Sequence, residues 1–156
     1  MRVRFTKLSP DRHAFEIVRD DGSTSRTELE TRSFLRHDLM HWALERRARL
    51  LDSLYGTLGK GVDPGSMRAA DPPADELTAD QLPRTEVLVG MLQGAAQRGV
   101  DPVAFVPFAS EHLRQVGQPV PAFLTADFVR QVLGDYERLH RQWQSLRIGG
   151  VLEVTH

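Results

Sequence analysis

His37, His41 and Glu45 stand one helical turn apart within Phe34-Leu-Arg-His-Asp-Leu-Met-His-Trp-Ala-Leu-Glu45. At about 100° per residue they fall with Asp52 in an arc of roughly 80°, and Asp38 lies at its edge. The arginines at 32, 36, 46, 47 and 49 fall outside that arc. Neutral imidazoles four residues apart can hold one divalent ion, and a carboxylate is a suitable third ligand for zinc, iron or manganese. The candidate metal ligands are therefore His37, His41 and Glu45. Residues eight apart are separated by about 12 Å along the axis, so one ion held by all three is strained. A histidine pair is the better arrangement, with Glu45 as a ligand or as the acceptor behind one ring, completed by a group from another helix. His140 is the first candidate for that group and His112 the reserve. Without a metal, the same stripe reads as a polar pocket or as a solvated helix face.

The run His37-Asp38-Leu39-Met40-His41 resembles the HDxxH motif of a ubiquinone-biosynthesis protein family. That resemblance implies zinc ligation by His37 and His41 together with a downstream glutamate. Ser53 stands at the glutamate position, and the match covers this run alone, so no family membership is assigned on it. The run also departs from the HExxH motif of zinc proteases, because Asp38 is one methylene shorter than the glutamate that activates water there.

Other chemistries find less support. Ser33 and Ser53 lack the sharp strand-to-helix setting of an activated serine. Gly56-Thr-Leu-Gly-Lys-Gly-Val62 has neither the glycine spacing nor the hydroxyl after Lys60 that a phosphate loop requires. No pair of carboxylates stands out as a glycosidase needs. Arg46, Arg47 and Arg49 complement the dipole at a helix end. Trp42 and Trp143 lie on apolar stripes and do not form a base-stacking platform.

The elements that must position the stripe follow from periodicity. Val3 and Phe5, then Phe15 and Ile17, alternate with polar residues and predict two strands, with Asp20-Asp21-Gly22-Ser23 as a hairpin turn to a third strand through Glu30. Val151–Thr155 reads as a fourth strand, which is stable only by joining that sheet. Thr31 or Ser33 is expected to cap a helix reaching about Leu54. Further helices are expected over 84–98 and 102–115, the latter kinked or restarted at Pro107. Thr125 is expected to cap a last helix, on which Phe128, Val129, Val132, Tyr136, Leu139, Trp143 and Leu146 form a core-facing stripe. Leu35, Leu39, Met40, Trp42, Leu44, Leu50 and Leu51 surround the histidine helix, so it should be buried on more than one side.

The fold class expected is α+β, a small antiparallel N-terminal sheet joined by a C-terminal strand and packed on a bundle of about four helices. Residues 1–156 are read as a single domain that contains a long loop rich in Pro, Gly and Asp over 56–83. The chain has 156 residues, 40% hydrophobic and 26% charged, which is ample for a core without disulfides. It contains no cysteine, which removes thiol catalysis, iron–sulfur clusters and Cys-ligated zinc. A net charge of −1 provides no field for nucleic acid or anionic lipid, so neither is an expected partner. No apolar run suits a membrane span, and the start alternates where a signal peptide would be continuously apolar, so a cytoplasmic protein is expected. Two functions remain. One is a divalent-metal protein, either a metal-dependent hydrolase acting on a small molecule or a binder without turnover. The other is a non-catalytic module that engages a protein partner through its sheet edge or its Pro-rich loop.

Overall fold

The computed structural model describes residues 1–65 and 81–156. Its sheet contains β1 (Arg2–Lys7), β2 (Arg12–Val18), β3 (Thr24–Glu30) and β4 (Val151–Thr155), in the order β3-β2-β1-β4 and antiparallel at every pairing. Period-two alternation sends Val3, Phe5, Phe15, Ile17, Leu152 and Val154 to one face, where all are buried. Phe5 stands opposite both Phe15 and Leu152, and Val3 opposite both Ile17 and Val154. The C-terminal strand thus completes the sheet as the sequence predicts. Gly22 takes φ +85° in the turn between β2 and β3, where a Cβ would be strained. Ahead of β4, Gly149 donates to the Lys7 carbonyl (2.7 Å) and Gly150 accepts from the Lys7 N–H (2.9 Å). Two residues facing one form a bulge that feeds β4 into the sheet.

A π-helical turn at Thr31–Leu35 leads into α1 (Arg36–Ala48). Its cap is Glu30, whose carboxylate accepts from the N–H groups of Arg32 (2.9 Å) and Ser33 (2.6 Å). The expected caps Thr31 and Ser33 are thus the residues being capped or adjoining them. α1 stops earlier than Leu54, because Arg49 adopts φ 53° in the left-handed region. The chain then turns and forms a short helix, α2 (Leu54–Gly59), which buries Leu54, Tyr55 and Leu58. Gly56 permits this return. An ideal Cβ there would lie 2.1 Å from the Leu51 carbonyl oxygen. Asp52 therefore leaves the arc that it would share with His37 on one continuous helix.

α3 (Leu82–Arg98) ends at Gly99 with φ 63°, and α4 (Pro102–Gln115) begins at Asp101, whose carboxylate accepts from Val103 N–H (2.8 Å). The helix runs through Pro107 without a restart. Phe105, Ala109 and Leu113 hold its opposite face in the core, and the carbonyl that Pro107 cannot satisfy belongs to Val103, an exposed residue open to water. α5 (Ala126–Ser145) is capped by Thr125, which accepts from Phe128 N–H (3.2 Å), and buries Val129, Val132, Tyr136, Leu139 and Trp143 as expected. Segment 56–83 is not loop throughout: residues 56–59 are helical and 82–83 open α3. Residues 66–80, which carry most of the Pro/Asp-rich composition, lie outside the described residues.

α1 is the central element. It packs against α3 and α5, and every residue from Asp38 to Glu45 is buried. A helix enclosed on several sides must turn any polar residue of its middle turns toward another polar group. No helix among the described residues is long and apolar enough to cross a membrane.

Candidate metal centre

The polar seam lies between α1 and α3. His41 Nε2 lies 3.1 Å from Glu86 Oε1, and His37 Nε2 lies 3.3 Å from Glu86 Oε2. The two imidazoles meet edge to face, with centroids 4.6 Å apart. One ligand atom from each of His37, His41 and Glu86 falls within 4.8 Å of the other two. Glu86 therefore stands where a third group from another helix was expected.

Glu45 occupies the other side of the His41 ring. Its Oε1 accepts from His41 Nδ1 at 2.8 Å, and its Oε2 accepts from the Tyr55 backbone N–H at 2.9 Å. Neither His41 nor Glu45 is exposed at all. With Nδ1–H committed to Glu45, the neutral tautomer presents the Nε2 lone pair toward Glu86, the arrangement that metal-ligating histidines require. His37 is oriented alike but more loosely, with Nδ1 3.5 Å from Gln93 Oε1, leaving its Nε2 on the Glu86 side. Tyr55 is itself anchored, since its hydroxyl donates to the Asp38 carbonyl at 2.9 Å. The sequence around α2 thus positions the acid that positions the histidine.

His41 Nε2 is a buried atom with no hydrogen bond of good geometry among the described residues, and the acid nearest to it is Glu86. In the absence of a cation a proton takes its place. Burial favours the neutral ring, but the carboxylates of Glu45 and Glu86 outweigh it and hold the His41 imidazole up at about 9. Burial likewise raises Glu86, yet His37 and His41 together hold its carboxyl well below the usual carboxylate range. The cluster reaches the surface at His37 and Glu86, whose side chains are 32% and 44% exposed, while His41 is fully buried.

His140 lies elsewhere, stacked on Tyr136 at 5.7 Å on α5, where burial and then the charge of Arg36 lower its basicity. His112 is half-buried on α4 and is not in the cluster. Glu86 itself carried no mark in the sequence, being one acid among 21 acidic residues. Its one retrievable signal is that Glu86 and Gln93, two turns apart, share a face of α3. No family model, no curated protein and no solved structure matches the chain.

Proposed function

We propose that this protein binds one divalent transition-metal ion through His37 Nε2, His41 Nε2 and the Glu86 carboxylate, with Glu45 orienting His41 from behind. The observation that carries this reading is the convergence of three ligand atoms from two helices, one of them a buried imidazole nitrogen without a hydrogen bond. The donors are nitrogen and oxygen only, which suits zinc and also admits iron(II) and manganese. Three protein ligands on a site that opens to solvent leave a coordination position free, the pattern of catalytic rather than structural metal sites. An ion held this way supplies Lewis-acid activation, so metal-assisted hydrolysis of a small substrate is the reaction class that this arrangement fits best.

The test is calorimetric titration of metal-free, untagged protein with zinc, manganese and iron(II). One ion per chain should bind tighter than about 10 μM, and His37→Ala, His41→Ala or Glu86→Ala should each abolish it. Absence of any such binding, with the variants folded, would reject the metal site. Metal-dependent turnover of 4-nitrophenyl acetate and bis(4-nitrophenyl) phosphate then separates a hydrolase from a binder.

A further inference from the structure

The hydrogen-bond phase of the sheet identifies which backbone groups of its β4 edge are free. Met1 and His156 exchange bonds of 3.0 and 3.4 Å, and Lys7 bonds Gly150. The odd residues of β1 therefore bond the even residues of β4, as the register Val3 to Val154 and Phe5 to Leu152 requires. The N–H and C=O groups of Val151, Glu153 and Thr155 consequently point away from β1, toward the open edge. One of them already has a partner beyond the sheet: the Thr155 carbonyl accepts from Trp42 Nε1 at 3.3 Å.

Along this edge runs a groove of about 310 Å³, with Trp42 and Arg46 from α1, Arg138 and Gln142 from α5, and Glu153 and Thr155 from β4 on its walls. Its charge is unbalanced. Arg46 is exposed, lies 5.1 Å over the Trp42 ring, and has no ion pair among the described residues. Arg138 shares Asp135 with Arg47, so two guanidiniums lean on one carboxylate. Glu153 turns its carboxylate to the outer face of the sheet, where Arg4 takes it at 2.6 Å. The β3 edge differs, since its outward-pointing backbone belongs to Thr24, Arg26, Glu28 and Glu30, three of them charged residues that guard it.

We infer that β4 is a docking edge for an extended acidic peptide, which adds as a fifth strand to the outward N–H and C=O groups of Val151 and Glu153 and the N–H of Thr155, and sets alternate carboxylates against Arg46 and Arg138. Main-chain bonds supply the affinity in such strand addition, and alternate side chains supply the selectivity. On an added strand every second side chain faces the helices, where Arg46 and Arg138 lie. The intervening side chains face solvent on the side of Glu153. This surface is independent of the metal centre.

The experiment is fluorescence anisotropy of a labelled heptapeptide of alternating Thr and Glu, with the alternating Thr and Lys peptide as its counterpart. The acidic peptide should bind the wild-type chain with a Kd near or below ~100 μM and the basic one should not. Arg46→Glu should weaken binding at least about tenfold. Glu153→Pro should abolish it, because it deletes an edge N–H that the sheet does not use. Thermal melting checks that both variants fold, and Arg46→Glu keeps the test decisive if the proline variant does not. Failure of the acidic peptide to bind, equal binding of both peptides, or unchanged binding by Arg46→Glu would overturn the proposal. So would concentration-dependent dimerisation that Glu153→Pro removes, which would make a second copy of this chain the occupant.

Discussion

Glu45 and His41 share a hydrogen bond of 2.8 Å, Oε1 to Nδ1, with neither side chain exposed to solvent. Removing two ionisable groups from water costs several kcal/mol per ion unless each is paired and hydrogen-bonded. The Tyr55 N–H completes the carboxylate on one side, and the Glu86 side of His41 is left for a cation. On the proposed function, a proton and a metal ion compete for that position, and pH sets the balance.

In the metal-free protein the folded His41 has its affinity for protons raised to about 9, above the unfolded value of about 6.5. Its contribution to stability is therefore fully present below pH 6.5 and is lost as pH rises through 9. The melting temperature of metal-free protein should fall over that window. Zinc must displace the same proton, so near pH 7.5 binding should release about one proton from His41, and none above about pH 10. Calorimetry in buffers of different ionisation enthalpy reads this number directly, and an apparent enthalpy equal in all buffers at pH 7.5 would contradict it.

Glu45→Gln retains an acceptor for His41 Nδ1–H but removes the charge, and metal affinity should drop by about tenfold to a hundredfold. Glu45→Ala should also destabilise the metal-free fold by about 3 kcal/mol, because it strands the buried His41 and the Tyr55 N–H together. Chemical denaturation and metal titration of the two variants separate these effects.

Tyr55→Phe and Gly56→Ala should part company. The first removes the hydroxyl bond to the Asp38 carbonyl, costing about 1 kcal/mol while leaving the backbone N–H on Glu45 and metal affinity intact. The second forces α2 away from the Leu51 carbonyl and withdraws that N–H. Gly56→Ala should thus weaken metal binding although it touches no ligand. Metal titration of both variants checks the contrast.

A chain ending at Gly149 lacks β4 and exposes the faces that Leu152 and Val154 cover. Two buried aliphatic side chains at about 2 kcal/mol each correspond to a loss of about 10 °C in melting temperature. Scanning calorimetry of the truncated protein provides the comparison.

Local signals revealed most of the fold, because they were repeated. The α5 stripe recurs over many turns, the β strands alternate cleanly, and Gly22, Gly99 and Thr125 mark turn, stop and cap by backbone chemistry alone. α2 escaped notice because Gly-rich composition reads as loop, whereas the helix is held by burial of Leu54, Tyr55 and Leu58 and by a contact only glycine allows. The histidine pair was legible for the same reason as the stripe: both lie on one helix, whose period fixes their angle. Glu86 was not, because its proximity depends on how α3 lies across α1, and no spacing within either segment encodes that angle.

Closure of the sheet by β4 also dictates an order of events during synthesis. β1, β2 and β3 leave the ribosome first and can form a meander at once, but the outer edge of β1 has no partner until residues 151–155 emerge, after the five helices among the described residues. Through that interval Val3 and Phe5 have one neighbouring strand in place of two, and the nascent chain presents an unpaired apolar edge of the kind that recruits chaperones or pairs with another chain. The contact between the most distant parts of the sequence is thus the one that ends the chain's exposure to misassembly.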